Sequence, residues 1–277
     1  MEFDPRNLFS GLDITLITFR NLCTRAGKLL MKINVRAFAQ KVLPSRFYLF
    51  ARKVWFQLRI LGMRLLGLRS LSPISEDFGE DRGLPIDRYY IEKFLGIHST
   101  DITGRVLEIG EDLYTKRFGT CEVTKSDVFH VHANNPMATI VGDLADAPHV
   151  PSNSFDAIIC TQTLHLIYDF QAAVDTLHRL LKPGGVLLCT MPGLTMVHGG
   201  EWGSTWYWSF TDLSAKKLFG DCFGEENVKV DVGGNVFVAT EFLYGRVTKE
   251  MRKSELDTVD RRYPVILAIR ARKAALK

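Results

Sequence analysis

Two apolar runs, Asp156-Ala-Ile-Ile-Cys160 and Val186-Leu-Leu-Cys-Thr190, flank a helical face made by Phe170, Val174, Leu177 and Leu181. Pro183-Gly184-Gly185 ends that face just before the second run. Strands joined through a helix cannot pair as a hairpin, so they lie parallel with the helix crossing over them. Runs that are apolar without alternation suit strands covered on both faces. The same rhythm recurs elsewhere. Ile86 to Ile97 predicts a helix with Pro85 near its start, and Arg105-Val-Leu-Glu-Ile109 a strand ending at Gly110. Ala138 to Val141 predicts another strand. Near the C-terminus a strand is expected at 228–232, a helix at 235–253 and a strand from Val265 to Ile269. The expected class is α/β, a mostly parallel sheet with helices on both faces.

A different kind of sequence precedes this body. Residues 1–71 hold 13 lysines and arginines against three carboxylates (Glu2, Asp4, Asp13), a net of +10. Residues 72–277 hold 22 against 28, a net of −6, so the overall charge of +4 hides a split. Ser72-Pro73 and the polar Ser75-Glu76-Asp77 mark the boundary, which gives a basic arm at 1–75 and a body at 76–277. In the arm Phe47, Phe50, Val54, Leu58, Leu61, Leu65 and Leu68 recur at steps of three and four. Arg52, Lys53, Arg59 and Arg64 fall mostly off that stripe. No run of about 20 apolar residues exists, which excludes a spanning helix. A basic amphipathic helix with Trp55 and Phe56 suits an anionic membrane surface or a partner chain, and packing on its own body explains it equally. Nucleic acid is not expected, since no recognised module accompanies the charge.

Hydrophobic content of 46% and charged content of 24% exclude disorder and a multispan membrane protein. The five cysteines are scattered and lack zinc spacing. They suit a reducing compartment. The opening Met-Glu-Phe-Asp-Pro is acidic, and no cleavage site follows the first apolar stretch. The expected location is cytoplasmic, with the arm allowing a peripheral position at the inner face of the membrane.

In an open α/β sheet, ligands bind beyond the carboxyl ends of the strands. Four strand ends are expected there: Glu108-Ile109-Gly110, Ser126-Asp127, Gly142-Asp143-Leu144 and Thr161-Gln162-Thr163-Leu164-His165. Asp127 follows Glu108 by 19 residues, about the separation at which a carboxylate meets a ribose diol. Each acid taken singly is equally a solvated loop residue or a helix cap.

Residues 104–193 resemble a class I S-adenosylmethionine-dependent methyltransferase. The specific stretches are Val141-Gly-Asp-Leu144, Pro151 to Cys160, and Leu177 to Met191 (LHRLLKPGGVLLCTM). The tract Trp206 to Ser214, and the pattern from Arg82-Gly-Leu-Pro-Ile-Asp-Arg-Tyr-Tyr90 onward, resemble methyltransferase-like proteins of bacterial surface-polysaccharide loci. The likeness covers about residues 80–275. It implies a Rossmann-like seven-stranded sheet and S-adenosylmethionine as cofactor. It implies that Asp127 binds the ribose, that Asp143 accepts from the adenine amino group and that Leu144 flanks the ring. Glu108, Gly110 and Thr161 would also bind the cofactor, Gly110 against its methionine moiety, and Thr161 to His165 would border the methyl-transfer position. The implied activity is methylation of a hydroxyl or amine of a sugar or glycolipid acceptor in surface-polysaccharide biosynthesis.

The sequence departs from the family in its first loop. The usual GxGxG appears as Gly110-Glu-Asp-Leu-Tyr114, with Asp112 and Tyr114 in place of two glycines. Only 16 residues separate Gly110 from Asp127, which predicts a stunted first helix. A rearranged loop that binds the cofactor and a loop that has lost it both remain open. His165 is the best-placed base by sequence, ahead of His149, His198 and Glu201. His130, His132, His149 and His165 lack metal spacing, so no metal site is expected. Trp202, Trp206, Tyr207, Trp208 and Phe210 crowd into nine residues. Trp202 and Tyr207 are the expected substrate contacts, while packing over the sheet explains the group equally. The competing reading is a non-enzymatic scaffold that docks on a membrane or a glycosyltransferase. A nicotinamide oxidoreductase fits poorly, because it too wants a glycine-rich loop.

Overall fold

The computed structural model describes residues 71–200 and 202–275, plus five helical residues of the arm: Lys53, Val54, Gln57, Leu58 and Ile60. The rest of the arm's expected stripe lies outside the described residues. Leu71–Lys277 form one compact unit. Residues 71–75, placed with the arm from sequence, are tied into it. The Ile74 amide donates to the Tyr244 carbonyl, and Ser75 Oγ accepts from the amides of Asp77 and Gly79.

Seven strands make one sheet: β1 (Gly104–Ile109), β2 (Val123–His130), β3 (Ile140–Val141), β4 (Phe155–Thr161), β5 (Leu181–Pro192), β6 (Val228–Gly233) and β7 (Ile266–Arg272). Their spatial order is β3-β2-β1-β4-β5-β7-β6. Every pair among β1 to β5 is parallel, and β7 runs antiparallel to both β5 and β6. The order reverses between β1 and β4, so the ligand crevice belongs at their carboxyl ends.

Among the described residues from 71 onward, six helices accompany the sheet: α1 (Ile86–Ile97), α2 (Leu113–Phe118), α3 (Phe170–Leu180), α4 (Asp212–Phe223), α5 (Val236–Leu243) and α6 (Lys253–Asp257). Alternate strand residues feed opposite faces. Leu107, Ile158, Leu187 and Cys189 pack with Val174 and Leu177 of α3 and Phe219 of α4. Val106, Ala157, Ile159 and Leu188 pack on the other face with Ile86, Tyr90 and Phe94 of α1 and Val238 of α5.

Three differences from the sequence expectation matter. The helix expected over 235–253 breaks after Leu243. The chain turns at Gly245 (φ +70°), where a Cβ would collide with Ser75. The strand expected over 138–141 is only two residues long. The strand expected to end at Asp127 continues to His130. The first helix, α2, is short as expected, at six residues.

Candidate active site at the carboxyl edge of the sheet

β1 delivers Glu108 and then Gly110 to the switch point. Glu108 Oε1 accepts the amide of Tyr114 at 3.0 Å, and Oε2 accepts the amide and hydroxyl of Thr115, both at 2.7 Å. Those amides open α2 and have no partner within the helix. Burial raises the Glu108 pKa, while the bonds from Thr115 and Tyr114 oppose the rise. Glu108, expected to touch the cofactor, is therefore an internal cap with both oxygens engaged.

Gly110 is different. Its φ of +98° favours glycine, and a Cβ built there would meet nothing within 4 Å. Its amide donates to the Phe129 carbonyl at 2.9 Å, and its carbonyl accepts from Asn135 Nδ2 at 3.0 Å. The residues that replace the other two glycines turn away from it. The Tyr114 ring is buried in the α1-side core, where its hydroxyl accepts from Arg88 Nη1 at 3.1 Å. Asp112 pairs with Lys116 at 2.8 Å. The altered loop thus leaves open space at its first glycine.

Asp127 corrects a sequence expectation. It pairs with Leu107 in mid-strand, three residues before the end of β2. Its carboxylate is buried, with Arg105 Nε at 2.7 Å and Lys125 Nζ at 2.9 Å. Burial alone would raise its pKa, but the two cations hold it below the usual range. A group so placed cannot reach a ribose at the strand's end. His130, Val131 and His132 stand there instead. The Trp202 ring stacks on His132, with centroids 5.7 Å apart, and meets His130 edge-on at 6.3 Å. Trp202, expected on the acceptor, sits over the end of β2.

Asp143 is the second residue after β3. It is exposed, and its Oδ1 accepts the Ala145 amide at 2.9 Å. The adjacent Gly142 amide donates to the His130 carbonyl, which joins the ends of β2 and β3. Leu144 is 4% exposed and belongs to the core with Phe129 and Leu107, so its side chain does not flank a ligand ring. His149 packs beside Gly142, where a Cβ would lie 2.7 Å from its ring.

At the end of β4, the Thr161 carbonyl accepts the Thr163 hydroxyl. Gln162 holds a φ of +48°, a conformation that costs a non-glycine residue about 1–2 kcal/mol. His165 is 1% exposed, and its ring centroid is 4.3 Å from that of Trp206. Burial lowers its pKa to about 4. Its carbonyl accepts the amides of Tyr207 and Trp208. His165 is therefore a neutral imidazole enclosed by the following segment, not a solvent-facing base. Gln162 Nε2, His165 Nδ1, Trp206 Nε1 and Thr190 Oγ1 are all shielded and have no hydrogen-bond partner. Thr190 lies opposite Thr161 on β5, and its carbonyl accepts the Gln162 amide.

The aromatic segment divides by role. Trp206 continues a ring stack through Phe78 (6.1 Å) to His198 (5.8 Å) and Phe242 (5.6 Å). Trp208 donates to the Ile167 carbonyl and packs edge-on against Phe170, which makes it structural. Tyr207 is exposed and lies 5.5 Å from Tyr168 edge-on, also exposed. Glu201 lies outside the described residues.

Sequence reasoning missed Asp87 and Arg88. Arg88, in the first turn of α1, donates to the Tyr114 hydroxyl, five residues beyond the end of β1. Asp87 Oδ1 is shielded and unpartnered, and burial raises the carboxyl pKa. Two polar residues just after Pro85, at the start of an otherwise apolar helix face, were the available signal.

Residues 100–189 match the methyltransferase domain family, about a third of the chain. A polyketide synthase of Dictyostelium discoideum is 33% identical over 82 residues, which cover 29% of this chain and 3% of that protein. The chain thus spans only a few per cent of the length of the curated relatives it matches. An S-adenosylmethionine-dependent methyltransferase from Archaeoglobus fulgidus superposes with a TM-score of 0.46 at 12% identity, covering 67% of this chain and 94% of that one. One from Mesorhizobium loti gives 0.45 at 13%, covering 68% and 98%.

Within a sheet of this order, with β7 reversed, residues 100–189 from before β1 into β5 match the methyltransferase domain family, which implies S-adenosylmethionine as cofactor. The residues present fit that cofactor at the open Gly110 and the exposed Asp143.

Proposed function

We propose that this chain binds S-adenosylmethionine at the carboxyl edge of β1 to β3 and transfers its methyl group to a hydroxyl or amine of a sugar or glycolipid acceptor. The observation that carries the cofactor half is Gly110: a glycine at positive φ, at the topological switch point, with open space over it. The cofactor supplies a methyl group on a sulfonium, whose leaving thioether is neutral. The protein's task is then mainly to orient the acceptor and exclude water. His165, neutral and enclosed, suits hydrogen bonding to an acceptor rather than taking its proton in bulk water. Support for a hydroxyl-rich acceptor comes from the unpartnered Gln162 Nε2, His165 Nδ1 and Trp206 Nε1, together with the exposed Tyr168 and Tyr207 at the rim. Unmet buried donors are costly, and a polyhydroxylated ligand would satisfy them.

Calorimetric titration of the full chain with S-adenosylhomocysteine tests the cofactor half. Saturable one-to-one binding supports it, and no binding at millimolar ligand overturns it. One observation favours a second reading, a scaffold without activity: β2 ends at His130, followed by Val131 and His132, with no carboxylate there for a ribose. Turnover with any acceptor would rule that reading out. We also propose that the basic arm addresses the protein to an anionic membrane surface or a glycosyltransferase. No described helix is long and apolar enough to cross a membrane. Flotation with anionic vesicles, compared between the full chain and a chain lacking residues 1–70, separates lipid from protein docking.

A further inference from the structure

β3 is two residues long and pairs only with Phe129 and His130 of β2. Beside it lies a cavity of about 330 Å³, lined by Arg105, Ile140, His149, Val150, Pro151 and Phe155. Its loop wall is fixed from behind. Arg179 of α3 donates to the carbonyls of Ala147 and Val150, both at 2.7 Å. Thr139 and Ser154 also border the cavity, but their hydroxyls are spent. Thr139 Oγ1 lies 3.3 Å from Asp127 Oδ1 and from the Val128 carbonyl, and Ser154 Oγ donates to the Pro151 carbonyl at 2.7 Å. Arg105 is not spent. Its Nε donates to Asp127, and its guanidinium stacks over the Phe155 ring, 4.7 Å from the centroid. Its two Nη groups make no hydrogen bond among the described residues, and the side chain is 36% exposed. Asp127 answers two cations, Arg105 and Lys125, so one positive charge is left over. Arg179 binds only carbonyls and the Ser152 hydroxyl, which adds a second behind the loop. The polar group still on offer is thus a donor fork with surplus positive charge, set among apolar walls.

We infer that this cavity is a second ligand site, which takes a small carboxylate with an apolar body. The planar Nη edge of Arg105 donates to both carboxylate oxygens. The apolar part of the ligand lies on Ile140, Val150, Pro151 and Phe155, with the exposed His149 ring at its border. The site does not depend on the cofactor reading. Arg105 is the second residue of β1, whereas Gly110 follows the strand's other end.

The experiment titrates the full chain with benzoate and with benzamide, its neutral counterpart of the same shape, and follows backbone amide signals by NMR. Benzoate should bind with a Kd of about 1 mM. The shifts should centre on the amides of Val141, His149, Val150 and Ser154. Benzamide should bind at least about fivefold more weakly. Val141 borders the cavity at an exposed position. Val141→Trp should fill the mouth, leave the Arg105–Asp127 pair intact and abolish the benzoate shifts. Arg105→Lys keeps a cation for Asp127 but loses the fork, and should weaken benzoate at least about fivefold. Amide spectra of both variants that overlay the unaltered one elsewhere show that they fold. Equal affinity for benzoate and benzamide overturns the inference. So do shifts centred on Gly110 and Gln162, benzoate shifts that survive Val141→Trp, or no shift up to about 20 mM benzoate.

Discussion

The Asp127 carboxylate lies 2.7 Å from Arg105 Nε across neighbouring strands, and both residues sit away from the carboxyl edge of the sheet. The pair holds β1 and β2 together. Asp127→Asn should lower stability by about 1–2 kcal/mol, since Arg105 and Lys125 are partly exposed and screened. The depressed Asp127 pKa fixes the sign with pH. Its contribution is present above the unfolded carboxylate value near 4 and fades as pH falls through the lower folded value. Affinity for S-adenosylhomocysteine should be unchanged. A tenfold loss in a folded variant would return the ribose role to Asp127.

His165 gives a second pH signature. Its folded pKa is about 4, against about 6.5 for a free imidazole. The unfolded chain binds the proton first, so stability falls as pH drops from 6.5 to 4, by up to about 3 kcal/mol. His165→Gln should flatten that slope in denaturant titrations at pH 7, 6 and 5. An unchanged slope would mean that the imidazole is not enclosed.

Gly110→Ala separates folding from binding. No neighbour would clash with the new Cβ, so the fold should lose only the cost of positive φ, about 1–2 kcal/mol. S-adenosylhomocysteine affinity should fall at least about tenfold, because the methyl group enters the space over the loop. Unaltered affinity would place the ligand elsewhere.

Trp202 should report on the ribose end. It stacks on His132 at the end of β2, so titration with S-adenosylhomocysteine should change tryptophan fluorescence. In Trp202→Phe most of that change should vanish. A full response in the variant would assign it to Trp206.

The layers of the sheet were legible in the sequence, and the roles of its polar residues were less so. Ile86, Tyr90, Ile91, Phe94 and Leu95 repeat at helical spacing after Pro85, and α1 runs from Ile86 to Ile97 as expected. β2 misled because its first half, Val123 to Ser126, is polar and partly exposed, while Val128 and Phe129 beyond Asp127 are buried. The buried acid therefore reads, from sequence alone, as the strand's end. His165 looked available because its cover, Trp206, comes 41 residues later in the chain. Leu144 is adjacent to an exposed acid, yet its side chain faces the core. Local patterns carry periodicity, whereas burial of a single polar group depends on distant segments.

The central claim is that the nucleoside lies between Gly110 and Asp143, beyond the ends of β1 to β3. A crystal structure of the full chain grown with millimolar S-adenosylhomocysteine tests it most directly. The expected result is adenine against Asp143, ribose beyond the end of β2 and the amino-acid end against Gly110. An empty crevice at that concentration, or adenosine bound away from Gly110, would contradict it.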